Sequence, residues 1–69
     1  MSNDSIFWTD VGKFGISDLF NTNTFKPVAR IMRLDDGWTV SRFNGKKTPR
    51  LYCRASDETE ARRIAEAMI

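Results

Sequence analysis

The chain has 69 residues, of which 41% are hydrophobic and 29% charged, with a formal net charge of +2, one cysteine and no histidine. This length allows one domain, 1–69, with one small core, since a chain of roughly 60 residues buries only about 60% of the surface that it exposes when unfolded. Cys53 alone cannot form an intrachain disulfide and a Cys/His zinc site is excluded, so we expect no metal or cofactor, and a homodimer is one way to gain stability.

The first segment, residues 1–25, is unusually apolar for an N-terminal arm. Aromatic residues such as Phe7, Trp8 and Phe14 predict that the arm is ordered and buries its rings. The residues Ser17–Phe20 would start a short helix, although two nearby glycines argue against one continuous helix through the arm.

The second segment, residues 26–55, has turn signals at regular intervals. Pro27–Leu34 and Trp38–Phe43 are rich in β-capable residues and are separated by an Asp-Asp-Gly turn signal. An Asn-Gly pair, the strongest short hairpin signal, leads to a third strand over Arg50–Ala55. This segment therefore predicts a three-stranded antiparallel meander.

The third segment, residues 56–69, has the signature of a helix. Ser56 is the predicted N-cap, and acidic residues follow in the first turn, where the helix macrodipole favours negative charge. One apolar stripe recurs at spacings of three and four residues: Ala61, Ile64, Ala65 and Met68. A helix packed on one face of the meander buries this stripe, so the sequence predicts an α+β fold with three strands, one C-terminal helix and an aromatic arm.

Period-two alternation predicts what each face of the sheet presents. The helix should cover Val40, Leu51 and Cys53, with Ile64 and Met68 from its own stripe. The other face would carry Thr39, Ser41, Arg50, Tyr52 and Arg54, joined by Arg30 or Arg33 according to the register of the first strand. That strand is apolar on both sides, and one interpretation is that the N-terminal arm covers this second face.

Basic residues concentrate in the predicted sheet. Residues 26–54 hold eight Lys and Arg against two Asp, a net charge of +6, whereas each flank comes to −2. Such a field attracts polyanions or acidic protein surfaces. Arginines and hydroxyls contact phosphates, and tyrosine stacks on bases. We therefore predict a DNA-binding surface made of Arg30, Arg33, Thr39, Ser41, Lys46, Lys47, Arg50, Tyr52 and Arg54, in which the two lysines clamp the backbone from the hairpin loop.

The stretches Gly37–Phe43, Asn44–Lys47 and Arg50–Ala61 resemble the three-stranded DNA-binding domains of the AP2 and integrase arm-binding type. The resemblance covers about residues 28–69 and consists of a tryptophan-bearing strand, an Asn-Gly-Lys turn and a Ser-x-x-x-Glu-Ala helix start. It implies that the sheet face enters the DNA major groove. The positions that match the DNA-facing strand positions are Arg30 or Arg33, Thr39, Ser41, Arg50, Tyr52 and Arg54.

A protein-binding module is the alternative hypothesis. Phe7, Trp8 and Phe14 would form a docking patch or a dimer seam, because aromatic clusters dominate interface hot spots. A compact domain with an apolar arm and a localised charge patch also fits the small inhibitors and adaptors typical of phages and mobile elements, and its basic patch would dock on an acidic surface of a host protein.

Catalysis and membrane insertion are not expected from this sequence. It contains no Gly-rich phosphate loop and no nucleophile with a histidine base, and Cys53 is predicted to be an inert core residue. The chain start lacks the regions of a signal peptide, and no apolar run approaches the roughly 20 residues that span a membrane. We therefore expect a cytoplasmic, non-enzymatic binding protein.

Overall fold

The computed structural model describes residues 6–10 and 15–68, which form one antiparallel sheet and one helix. The strands are β1 (Ile6–Asp10), β2 (Ile16–Asn21), β3 (Lys26–Leu34), β4 (Gly37–Arg42) and β5 (Arg50–Ala55), and helix α1 spans Glu58–Glu66. Strands that are neighbours in the chain are neighbours in the sheet, so the order is β1-β2-β3-β4-β5. The predicted α+β class, with one antiparallel sheet and a C-terminal helix, is confirmed.

The sheet has five strands and not the predicted three, because the N-terminal segment contributes two of them. Trp8 of β1 lies opposite Leu19 of β2, and Leu19 in turn lies opposite Ala29 of β3. The predicted helix start over Ser17–Phe20 is wrong, since these residues belong to β2. Leu19 and Phe20 are both apolar but lie on opposite faces of β2, so the strand lacks the alternation of apolar and polar residues by which a strand is recognised in a sequence.

The described part of the N-terminal segment extends the sheet sideways and does not lie over it. Helix α1 packs on one face against β3, β4 and β5. We call this face the helix side and the other face the open side. Among the described residues no element covers the open side, so the interpretation that the arm covers it is wrong for β1 and β2.

The core lies between the helix side and α1. Its buried members are Leu19, Ala29, Ile31, Val40, Ala55, Ala61 and Ala65. Ile64 and Met68 pack against this cluster as predicted, and so does the half-buried Cys53. The two helix alanines bring α1 close to the sheet. Within the described residues no helix has the length and apolar character needed to cross a membrane.

A β-bulge in β5 reverses one predicted side-chain direction. Val40 lies opposite Cys53, but the next partners are Ser41 and Leu51, so Tyr52 is an extra residue in the strand. Leu51 therefore shares the open side with Ser41 and is 65% exposed, which contradicts its predicted core position. Strict alternation cannot reveal a bulge, because one inserted residue shifts every later side chain to the other face.

The pairing of the strands also settles the directions of the arginines. Arg30 lies opposite Ser41 on the open side, whereas Arg33 lies opposite Trp38 on the helix side. Arg50 lies opposite Arg42 on the helix side, and its predicted place on the open side is therefore wrong.

The helix begins with a side-chain cap one residue later than predicted. Asp57 is the N-cap, and its Oδ1 accepts a hydrogen bond from the Glu60 amide at 2.8 Å. Glu60 reaches back, and its Oε1 accepts from both the amide and the hydroxyl of Ser56, each at 2.8 Å. The Ser56 amide, followed by the Ser56 hydroxyl, lowers the pKa of Glu60 below its ordinary value.

Replacing Glu60 by Gln is expected to lower the melting temperature at neutral pH but not in acid. A carboxyl whose pKa is lower in the folded state stabilises the fold above its unfolded pKa of 4.5, and this contribution is lost as the pH falls through the lower folded value. Thermal melts of the wild type and Glu60→Gln between about pH 3 and pH 7 test this. A difference that stays constant over that range would show that the charge of Glu60 is not involved.

Candidate nucleic-acid interface

Five basic residues gather at the end of the sheet where β2 turns into β3 and β4 leads to β5. They are Lys26, Arg42, Lys46, Lys47 and Arg50, and we call this cluster the basic end. All five are exposed, and none forms an ion pair with a carboxylate in the part of the chain that the structure describes. The basic end is therefore an uncompensated positive charge at one pole of the molecule.

The two loops of this end meet across a shallow concavity. It is lined by Lys26 and Pro27 from the start of β3 and by Gly45, Lys46 and Lys47 from the loop before β5. A second concavity beside it is lined in part by Lys26, Arg42, Asn44 and Met68, so the surface continues to the residues just after α1. Both loops thus contribute cations to one continuous surface.

Backbone hydrogen bonds fix the loop that carries the two lysines. The Phe43 amide donates to the Val28 carbonyl at 3.0 Å, and the Lys46 amide donates to the Phe43 carbonyl at 2.8 Å. Asn44 and Gly45 have φ values of 53° and 76°, which asparagine and glycine adopt at low cost. The predicted Asn-Gly turn therefore presents Lys46 and Lys47 from a defined backbone.

Two arginines of the basic end face each other across neighbouring strands. Arg42 of β4 is the direct partner of Arg50 of β5. Like charges directly opposite each other in an antiparallel pair are destabilising. Met68, two residues after the end of α1, lines the same concavity as Arg42, so the C-terminal end of the helix lies on this side of the molecule.

Replacing Arg50 by Glu is expected to stabilise the protein while weakening any binding at the basic end. The substitution turns a repulsive cross-strand pair with Arg42 into an attractive one, for which about 0.2–1 kcal/mol is typical. Urea denaturation gives the free energy of unfolding, and Arg50→Gln, which only removes the repulsion, is the matched control with a smaller gain. A lower stability for Arg50→Glu than for Arg50→Gln would contradict this account.

On the open side, Arg30 is committed to partners within the fold. Its Nε and Nη2 donate to the two carboxylate oxygens of Asp18 at 2.7 and 3.2 Å, and its guanidinium lies 5.5 Å from the centre of the Phe43 ring. The hydrogen bond with Asp18 raises the pKa of Arg30, with burial acting in the opposite direction. Phe43 is only 3% exposed, and the Arg30 side chain covers its ring on the open side of the sheet.

The structure divides the nine residues predicted to bind nucleic acid. Arg30, Thr39, Ser41 and Arg54 share the open side; Lys46, Lys47 and Arg50 lie at the basic end; Tyr52 is exposed at the bulge; and Arg33 is on the helix side. Like Arg30, Arg54 has a carboxylate partner, Asp36, at 2.8 Å. The cations of the open side are thus paired, whereas those of the basic end have no carboxylate partner within the described part of the chain.

The aromatic residues predicted to bind protein do not form one patch. Phe7 stacks on Phe20 on the open side, with ring centres 5.4 Å apart. Trp8 lies on the helix side, where its Nε1 donates to Glu66 at 2.9 Å and the Arg62 guanidinium lies 4.6 Å from the centre of its ring. Phe14 lies outside the described residues.

Phe25, in the turn between β2 and β3, was not predicted as a site residue. Its side chain is 74% exposed, and its φ of 57° lies in the left-handed region, which costs a non-glycine residue about 1–2 kcal/mol. It directly precedes Lys26 of the basic end. A lone phenylalanine within the polar turn segment Asn21–Lys26 is the sequence signal that could have found it.

The opposite end of the sheet is acidic. Asp35 and Asp36 form the turn between β3 and β4, Asp57 and Glu58 begin the helix, and Asp10 ends β1. Arginines also lie near this end, where Arg54 pairs with Asp36 and Arg62 with Glu58, so part of its negative charge is neutralised. The described residues contain no cluster of three or more acidic or cysteine side chains that could hold a metal ion.

Comparisons with models of protein families, with curated proteins and with solved structures gave no significant match to this chain. The fold itself defines the class: an α+β protein with a five-stranded antiparallel meander and one helix on one face. The resemblance to the AP2 and integrase arm-binding domains stays a prediction.

Proposed function

We propose that the protein binds nucleic acid, without catalysing a reaction, and that it does so through the basic end. The observation that carries this proposal is the cluster of five exposed Lys and Arg side chains, which have no carboxylate partner among residues 6–10 and 15–68. A phosphate backbone supplies the missing counter-charge, and the release of its condensed counterions favours binding. The repulsion between Arg42 and Arg50 is relieved in the same step.

The difference in charge between the two ends of the sheet supports the same function. When the basic end contacts a polyanion, the acidic residues around Asp36 and Asp57 lie at the far end of the sheet. Long-range electrostatics would therefore orient the protein as well as attract it. The proposal keeps the DNA partner that the sequence predicts, and it moves the main contact from the face of the sheet to the end of the sheet.

Binding to a fluorescently labelled, mixed-sequence oligonucleotide, followed by anisotropy at about 50 and 200 mM salt, tests the proposal. If about four or five phosphates are contacted, the affinity should fall roughly a hundredfold between the two salt concentrations. An uncharged-backbone analogue of the same oligonucleotide is the control and should not bind. No binding of the charged oligonucleotide at the lower salt concentration would contradict the proposal and would direct attention to a protein partner with an acidic surface.

A further inference from the structure

Phe25 is the most exposed of the large hydrophobic side chains in the described residues. With 74% of its surface open to solvent, the ring contributes little to the core. Its positive φ is a conformation that asparagine or glycine would adopt more easily. Neither the packing nor the backbone of this turn therefore explains a phenylalanine at position 25.

The turn holds Phe25 in a fixed place. The Phe25 amide donates to the Asn21 carbonyl at 2.7 Å, and the Asn23 amide donates to the Asn21 side chain at 2.8 Å. The amide of Lys26, the next residue, donates to the Thr24 hydroxyl at 3.3 Å. An aromatic ring on such an ordered backbone loses little conformational entropy when a partner stacks on it.

The position of the ring beside the cations suggests what that partner is. Lys26 lines the concavity that also contains Lys46 and Lys47, and Phe25 directly precedes Lys26 in the same turn. One residue spans at most about 3.6 Å, so the backbone of Phe25 lies at the rim of the surface that phosphates would occupy. We propose that Phe25 stacks on an unpaired base and that single-stranded nucleic acid is the preferred ligand of the basic end. This inference rests on the proposed function. An unpaired base offers its face freely, whereas a paired base must first be separated from its neighbours in the duplex.

The experiment compares Phe25→Asn, which removes the ring but suits the left-handed backbone, with Phe25→Tyr, which keeps a ring. Each is titrated with oligothymidylate, with an abasic strand of the same length and with a duplex. Phe25→Asn should bind oligothymidylate roughly five- to a hundredfold more weakly than the wild type, and Phe25→Tyr should bind it like the wild type. On the abasic strand all three proteins should bind equally. The melting temperature of Phe25→Asn should not fall.

Several results would overturn the inference and leave the proposed function intact. Equal affinity of Phe25→Asn and the wild type for oligothymidylate would show that Phe25 does not stack. An equal loss on the abasic strand would show that Phe25 acts on the backbone contacts and not on a base. Tighter wild-type binding to the duplex would exclude single strands as the preferred ligand. If the wild type binds none of the three probes at low salt, both the inference and the proposed function fail.

Discussion

Replacement of both Lys46 and Lys47 by alanine is expected to weaken nucleic-acid binding by about ten- to a hundredfold at low salt. A net hydrogen bond is worth about 1 kcal/mol, so the loss of two corresponds to roughly thirtyfold in affinity, and each lost phosphate contact lowers the slope of log affinity against log salt by about 0.7–0.9. Both side chains are exposed and form no ion pair within the described residues, so the melting temperature should not change. Anisotropy titrations at several salt concentrations measure the affinity and the slope together.

The matched control is the double variant Arg54→Ala/Arg63→Ala, which removes the same net charge at the other pole. Arg54 is paired with Asp36, and Arg63 lies on α1 near the acidic residues of the helix start. This variant should retain most of the affinity and the wild-type salt slope. If it loses as much affinity as the lysine variant, binding depends on overall charge or on the open side of the sheet, and the basic end is not the site.

Replacement of Leu19 by alanine is expected to cost about 2–5 kcal/mol of folding free energy, a large part of the roughly 3–10 kcal/mol expected for a domain of this size. Leu19 is fully buried and lies between Trp8 of β1 and Ala29 of β3, so its truncation opens a cavity in the centre of the sheet. Urea denaturation followed by tryptophan fluorescence gives the free energy of unfolding.

Leu51→Ala is the control for the same chemical change at an exposed position. Leu51 is 65% exposed on the open side, so its replacement should cost well under 1 kcal/mol. The pair of variants also tests the bulge in β5. A large loss of stability for Leu51→Ala would contradict the strand register of β5. A small loss of stability for Leu19→Ala would contradict the packing of the N-terminal segment in the core.

The second half of the fold could be predicted from the sequence because its signals are local. Turn residues mark the ends of β3, β4 and β5, and a three- and four-residue spacing marks α1. The strand predicted over Arg50–Ala55 matches the bounds of β5, and the other predicted strands differ from β3 and β4 by one residue at the ends. Local sequence signals are enough to predict the bounds of an element that is flanked by a glycine, an asparagine or a helix cap.

The strands of the first half and the bulge could not be predicted, because both depend on contacts that are distant in sequence. β2 has apolar residues on both faces, Leu19 toward the helix and Phe20 toward the stack with Phe7, so it shows no clear period. The extra residue at Tyr52 depends on how β5 pairs with β4. Pairing across strands is invisible in a single sequence until the partner and its register are known.

The positions of the basic residues could be read from the sequence, but their partners could not. The net charge of residues 26–54 indicated the segment that contains the five cations of the basic end, and Lys46 and Lys47 are in the predicted loop. Composition could not distinguish cations that are neutralised by a carboxylate, such as Arg30 beside Asp18, from those that are not. That distinction requires the register that brings Asp18 opposite Arg30.

The bulge at Tyr52 has a consequence for how copies of this protein meet one another. β5 is an edge strand, and an irregular edge that carries Arg50 and Arg54 is a poor template for a strand from another molecule. Cross-molecule growth of the sheet, the first step toward fibrils, is thereby opposed at this edge. Among the described strands the other edge is β1, a strand of five residues that is charged only at Asp10, so edge-to-edge pairing between molecules is expected to begin there.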